Sequence, residues 1–481
     1  MILLSQKQRS LSRAQLRRLY APFQRFFRLE ASSSILLICC IISALFWANS
    51  IWGFSYFSFW ETHLTIAIGP FILSEPLQWW INEGLMALFF FVVGLEIKRA
   101  VIVGELSKLQ DAFFPVLAAV GGMVVPAVIF SIINLGSFGI SGWPIPMATD
   151  IALALGVLAL LGDRIPTSLK LFLSTLAIAD DIGSVILIAV FFSTVTPLVP
   201  LAVAIILIVA LIVMNRAGIH YTLFYAILGL GVWLVFLISG VPATIAGVIV
   251  AVTIPAIARV NTEDFCSKSH ILLKDFEEAK KPGESVLTNK TQRTAIVGLQ
   301  AVCKDVQTPL QRMEYTLQPW VGFVIVPLFA LANAGVSLGF DISVPGAGTV
   351  ATGIILGLVL GKQIGVMLFS WLSVRTGLAI MPKGLSWRQI HGVSCLAGVG
   401  FTMSLFMADL SFSGVPLLDT AKNAILIASL IAGIVGFFLL GGSSILATLR
   451  KNIAKRFQFR KERMGKQLKP IKSDDVLPIP E

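Results

Sequence analysis

The stretch Thr175-Leu-Ala-Ile-Ala-Asp180-Asp181-Ile-Gly183 places two adjacent carboxylates in the middle of a mostly apolar run from Leu169 to Phe192. A bilayer crossing takes roughly 20 apolar residues, which this run supplies. One carboxylate near the centre of such a helix costs about 2.5–3.5 kcal/mol even on lenient insertion scales. Two neighbours also repel each other. Packing does not require such a pair, and neutralising a single buried cation would occupy only one of them. Ionisable groups at this depth mark an ion or proton pathway.

Composition agrees. Of 481 residues 56% are hydrophobic and 13% charged, with a mean hydropathy of +0.86. A soluble chain cannot bury that much apolar surface. The fold class expected is an all-α polytopic membrane protein. The formal charge of +11 does not indicate nucleic acid, because the basic residues gather at the two ends and in particular loops. Cys39, Cys40, Cys266, Cys303 and Cys395 show no metal-ligand spacing, and disulfides are not expected.

Working outward, residues 1–32 form a basic segment, from Lys7 to Arg28, and residues 448–481 a basic tail. The first either lies on an anionic membrane surface or is a plain cytoplasmic tail. Between them, in a domain spanning 33–447, twelve apolar segments are read: 34–50, 84–103, 112–134, 146–162, 168–194, 198–214, 221–239, 242–258, 320–338, 349–372, 389–411 and 422–447. Loops after odd-numbered segments carry no Lys or Arg, whereas those after even-numbered segments do. That alternation puts both termini in the cytoplasm. Residues 62–73 read as two short strands about a Gly-Pro turn, an external hairpin that either caps one subunit or pairs with a second copy. The polar stretch 259–318 is expected to be partly helical and partly disordered.

Three further charges lie at membrane depth. Asp150 follows Trp143-Pro-Ile-Pro-Met-Ala-Thr149, where two prolines interrupt a helix that then restarts. A helix starting inside the membrane presents unpaired N–H groups and its positive dipole end beside Thr149 and Asp150. Lys362, in Leu358-Val-Leu-Gly361-Lys362-Gln-Ile-Gly365, must find a carboxylate or lose its proton, and Asp180 or Asp181 is the natural partner. Glu96 lies a turn inside the end of the second segment, set either for an ion pair at a funnel mouth or for a local pair with Arg99. Asp409 and His391, near segment ends, are expected to face water.

The eleventh segment holds Cys395-Leu-Ala-Gly398-Val-Gly400-Phe-Thr402-Met-Ser404, which reads as a second broken helix. Segments 3–5 and 10–12, each with a broken middle member, suggest the inverted repeats of secondary transporters, with broken helices 4 and 11 crossing at mid-membrane.

These motifs, together with Trp80-Ile-Asn82-Glu83-Gly84, Val93-Gly-Leu-Glu96-Ile-Lys98-Arg99 and Phe329-Ala-Leu-Ala-Asn333-Ala-Gly335, resemble the NhaA sodium/proton antiporters of bacteria over residues 33–447. The resemblance implies a bacterial inner-membrane carrier that expels Na⁺ or Li⁺ in electrogenic exchange for H⁺. It would be an antiporter rather than an enzyme, with no cofactor. Asp181 would be the main cation ligand, Asp180 the partner of Lys362, and Thr149 and Asp150 the neighbours on the fourth helix. Glu96, Arg99, Glu83 and Glu314 would form a cytoplasmic funnel with a regulatory role. Membrane lipids and a second copy of the chain, held through the hairpin, are the expected partners. Pro242, Tyr315 and Gln318 stand where some members carry histidines linked to pH response, and Gln363 stands where proline is common.

The rival readings are weaker. A sodium-coupled symporter needs a roomier pocket with groups fixed to hold an organic solute. An intramembrane aspartyl protease needs facing aspartates on two helices in a Gly-x-Gly-Asp setting, which Ala-Asp-Asp and Ala-Thr-Asp do not provide. A channel needs rings of charge or a carbonyl filter.

Overall fold

The structure is a computed structural model describing residues 32–442, apart from 70, 105, 108, 163–164, 193–197, 258–259, 281–284, 287, 338, 340–343, 383 and 414. The expectations for the basic segments before residue 32 and after residue 442 fall outside the described residues.

Helix α1 (Ser32–Ala48) turns through 114° into α2 (Gly53–Trp60). Strands β1 (His63–Ile68) and β2 (Phe71–Pro76) then pair antiparallel, Ile66 opposite Leu73. Their turn uses Gly69 at φ +60°, a left-handed conformation that favours glycine. A π-helical turn, Trp80–Leu85, leads into α3 (Met86–Ile102). Helix α4 (Leu109–Ile133) contains Pro115 and Pro126. After the 3₁₀ turns Phe138–Gly142 and Ile145–Met147 comes an extended step through 148–150, and α5 (Ile151–Leu161) restarts at 41° to them. Helices α6 (Thr167–Phe191), α7 (Leu198–Arg216), α8 (Thr222–Ser239) and α9 (Thr244–Thr253) follow.

The polar insertion is largely helical: α10 (Thr262–Glu278) and α11 (Lys290–Val306) pack together, N-capped by the Asn261 and Asn289 side chains. Helix α12 (Pro309–Trp320) continues through the π-helical Val321–Ile325 into α13 (Val326–Asn333), so the ninth apolar run begins earlier than its hydropathy suggests. Helix α14 (Ala347–Leu356) passes through a π-helical turn, Gly357–Gly361, into α15 (Lys362–Arg375). Helices α16 (Trp387–Ala397) and α17 (Phe401–Phe412) form a second broken pair, bent by 43°, and α18 (Leu417–Phe437) ends the bundle.

Among the described residues, seven helical runs are long and apolar enough to cross a bilayer, or ten when each bent pair counts as one span. Of the twelve segments read from sequence, 84–103 and 242–258 are the two outside that count. Helix α9 has only 10 residues and α3 has 17, with Glu96, Lys98 and Arg99 near its end. These two helices pack closely on each other. A Cβ on Gly94 would lie 2.7 Å from Ala251 Cβ, and one on Gly247 would run into the Ala87 carbonyl.

The polarity of the bundle is that of a membrane protein. On α7 the apolar Val203, Ile206 and Val213 face outward, whereas Asp150, Asp180, Asp181 and Lys362 are all buried.

Candidate ion-binding site

The two helix breaks meet. The Asp150 N–H donates to the Val399 carbonyl at 2.6 Å, tying the extended step before α5 to the loop between α16 and α17. The approach depends on glycines. A Cβ on Gly398 would strike the Leu358 carbonyl oxygen, and one on Gly400 would strike Ser404 Oγ and sit 3.0 Å from the Ala148 carbonyl oxygen. Ser404 Oγ also donates to the Ile145 carbonyl at 2.9 Å.

Asp150 caps two helices at once. Its Oδ1 accepts from Leu153 N in the first turn of α5 at 3.0 Å. Its Oδ2 accepts from Thr402 N at 3.0 Å and Thr402 Oγ1 at 2.6 Å, at the start of α17. One carboxylate therefore meets the positive ends of two half-helices. Thr149 reaches the opposite pole, with Oγ1 at 2.9 Å from the Ala397 carbonyl at the end of α16.

Asp180 and Asp181, adjacent in sequence, are treated differently by the fold. Asp180 is completely buried. Its Oδ2 accepts from Lys362 Nζ at 2.7 Å and lies 2.7 Å from Thr149 Oγ1, and Lys362 Nζ also donates to Thr149 at 2.8 Å. Lys362 is itself fully buried and follows the Gly357–Gly361 π-helical turn, which shifts the register of the helix that presents it. Its helix approaches α4 through Gly121 and Gly365, where a Cβ on either residue would overlap the other's carbonyl oxygen. Among the described residues Asp180 Oδ1 has no hydrogen-bond partner.

Asp181 instead lines a cavity of about 780 Å³, together with Glu96, Thr149, Asp150 and Thr402. Tyr315 and Gln318 line the same cavity farther along α12. Nearby, Arg99 Nε pairs with the buried Glu314 at 3.0 Å, joining α3 to α12.

The structure thus brings together Asp180, Asp181, Asp150, Thr149, Lys362, Thr402 and the Gly398–Gly400 break, with Glu96 on the cavity wall. It separates Glu83 from that group. Glu83 lies in the Trp80–Leu85 turn beside the hairpin, 16 positions before Arg99, about 24 Å along a helical run. The grouping of Glu83 with Glu96, Arg99 and Glu314 is corrected accordingly. Asp409 is also corrected. It does not simply face water: Lys422 Nζ lies 3.2 Å from Oδ1, and Asn82 Nδ2 donates to Oδ2. His391 is half-buried.

Sequence reading missed Lys422, whose position inside the apolar run of α18 was the available signal. Lys98, read from sequence only as part of its motif, has a structural role: it donates to the Val252 carbonyl at 2.6 Å and to the Ile254 carbonyl, at the carbonyl end of α9.

Two broken helices that meet around a buried carboxylate–lysine–threonine cluster, beside a wide cavity, define a membrane protein that handles small ions. A family model described as Na⁺/H⁺ antiporter 1 matches residues 24–440, and the chain belongs to that family of secondary transporters. It is 47% identical over 430 residues to the Na(+)/H(+) antiporter NhaA of Koribacter versatilis, covering 89% of this chain and 93% of that one. It is 45% identical to Na(+)/H(+) antiporter NhaA 2 of Syntrophotalea carbinolica, covering 88% and 97%. The NhaA of Oleidesulfovibrio alaskensis is 44% identical, with 88% and 94% covered.

Proposed function

We propose that this chain exchanges Na⁺, or Li⁺, for H⁺ across a bacterial inner membrane by competition for one pair of carboxylates. The observation that carries the reading is the division between Asp181, on the cavity wall, and Asp180, locked to Lys362 and Thr149 behind it. Small hard cations take oxygen ligands, and the Asp181 carboxylate, with Thr149 and Thr402 near it, supplies them. A cation on Asp181 is excluded by protons on the same group, so each state of the site carries one cargo or the other. Lys362 holds Asp180 while the site is empty. A cation drawn between the two carboxylates weakens that pair and frees the ammonium to release its own proton or to let the carboxylate turn. A site that reorients only when loaded then couples the two fluxes, more protons than cations crossing per cycle. No bond of a substrate is made or broken, and no cofactor is required.

In this reading the chain makes twelve crossings, counting α3 and α9 with the ten spans. It has two inverted repeats, both termini in the cytoplasm and the hairpin outside. The Glu96–Arg99–Glu314 face is then the cytoplasmic mouth. The hairpin edge serves a homodimer, and lipids surround the apolar outer faces.

The test is proton movement in everted vesicles with an acid interior, adding Na⁺, Li⁺ or K⁺. Wild type should alkalinise the lumen on Na⁺ or Li⁺, and Asp181→Asn, at equal protein level, should not. A wild type silent to all three cations at every pH would defeat the antiport reading.

A further inference from the structure

The polar groups at the hairpin end, Asn333 and Lys422 buried and Asn82 and Asp409 half-buried, have no part in the exchange chemistry above. Burying a charged pair is costly unless it is well compensated, and here the pair is heavily tied in. Lys422 is 5% exposed and bonded to Asp409. Asn82 donates to Asp409 and exchanges hydrogen bonds with Asn333, Asn333 Nδ2 to Asn82 Oδ1 at 2.7 Å and Asn82 Nδ2 to Asn333 Oδ1 at 3.3 Å. Gln78, beside the hairpin, donates to Asn333 Oδ1 at 3.0 Å. Side-chain oxygens, from Asp409, Asn82 and Asn333, outnumber the single ammonium here.

The location is more telling than the composition. The helical runs that supply Asn82, Asn333 and Asp409 also line the central cavity, through Glu96 on α3, Val326 on α13 and Thr402 on α17. Thr402 and Asp409 are seven residues apart on one helix, about 10 Å. Between the two levels the same three helices contribute Phe90, Phe329 and Phe406, each no more than 2% exposed, with ring centroids 5.3 Å and 6.5 Å apart. A seam between three helices therefore runs from an open cavity, past an aromatic plug, to a half-buried polar layer under the hairpin.

We propose that Asp409, with the side-chain oxygens of Asn82 and Asn333, is a second station for a small hard monovalent cation on the hairpin side of the plug. Lys422 occupies its carboxylate while that side is closed. The assignment rests on the antiport reading and extends it: the cation leaves Asp181, passes the parted rings of Phe90, Phe329 and Phe406, and displaces the Lys422 ammonium from Asp409 before reaching the hairpin face.

The test measures half-saturation by Na⁺ separately from each face, in everted and right-side-out vesicles, for the wild type and the neutral pair Asp409→Asn/Lys422→Met. Loss of both charges together leaves no orphaned buried ion, so the variant should keep its thermal melt. The station requires KM for Na⁺ presented at the hairpin face to rise at least tenfold, with the value from the cavity face within twofold of wild type. Equal shifts from both faces, or none, would overturn it and leave the pair a structural tie. Asn82→Ala keeps both charges and reads the same asymmetry, at roughly threefold, should the double variant fail to fold. Equal shifts or none there would likewise overturn the station. A wild type without any Na⁺-driven proton flux would sink the antiport reading itself, an outcome distinct from either variant result.

Discussion

Lys362 and Asp180 stabilise each other only as a pair. Both are fully buried, and each would be an uncompensated charge alone. Lys362→Met should therefore destabilise the protein by about 3–5 kcal/mol while Asp180 stays ionised, and the melt should recover in Asp180→Asn/Lys362→Met. Exchange should not recover with it, because the double variant keeps the packing and loses the groups that respond to the cation. Restored stability together with restored Na⁺-driven proton flux would show that the pair is scaffold alone. Thr149 bridges the pair and the Ala397 carbonyl, so Thr149→Val removes a hydroxyl from three partners at once. It should raise KM for Na⁺ in the vesicle assay while Thr149→Ser stays near wild type, and equal behaviour of the two variants would speak against a ligand role.

At the scale of elements, the site is made by two interrupted helices and by the close approach that glycine permits. Gly400→Val would force a branched side chain into Ser404 Oγ and the Ala148 carbonyl. Overpacking costs typically 1–3 kcal/mol. Here it also parts Asp150 from Thr402, so exchange should fall further than stability. A variant with near-normal flux would show that the crossing tolerates separation. Lys98, at the carbonyl end of α9, acts on stability alone. Lys98→Met should lower stability by about 1 kcal/mol, read from thermal melts, with KM for Na⁺ unchanged.

At the scale of the whole molecule, the pH response follows from competition between cation and protons for the carboxylates on the cavity wall. A cation that needs deprotonated carboxylates binds more weakly as protons accumulate. The apparent KM for Na⁺ should climb as pH falls, by up to tenfold per unit for each proton displaced, and flatten at high pH. A KM independent of pH, with only the maximal rate changing, would exclude direct competition. The hairpin belongs to the same scale. Deleting residues 63–76 should shift the detergent-solubilised particle from dimer to monomer in sedimentation while Na⁺/H⁺ exchange persists, and an unchanged particle mass would remove the hairpin from the interface.

The sequence by itself determined a helical membrane protein, the breaks near 148–150 and 398–400, and the charges that cannot rest in lipid. Hydropathy and the expense of buried ions are local properties, legible one segment at a time. Twelve apolar segments and ten long apolar spans differ where a helix is short, as in α9, or carries its own charges, as in α3. The local pattern leaves open which of two adjacent aspartates meets Lys362, an assignment that only the resemblance implied. The physical reason lies in the tertiary structure, because neighbours on a helix point about 100° apart and the packing of α15 through Gly121 and Gly365 selects Asp180. The tertiary structure also decided that Asn82 comes to Asp409 under the hairpin. That contact joins residues more than 300 positions apart, and no local pattern encodes which distant group will arrive beside a given charge.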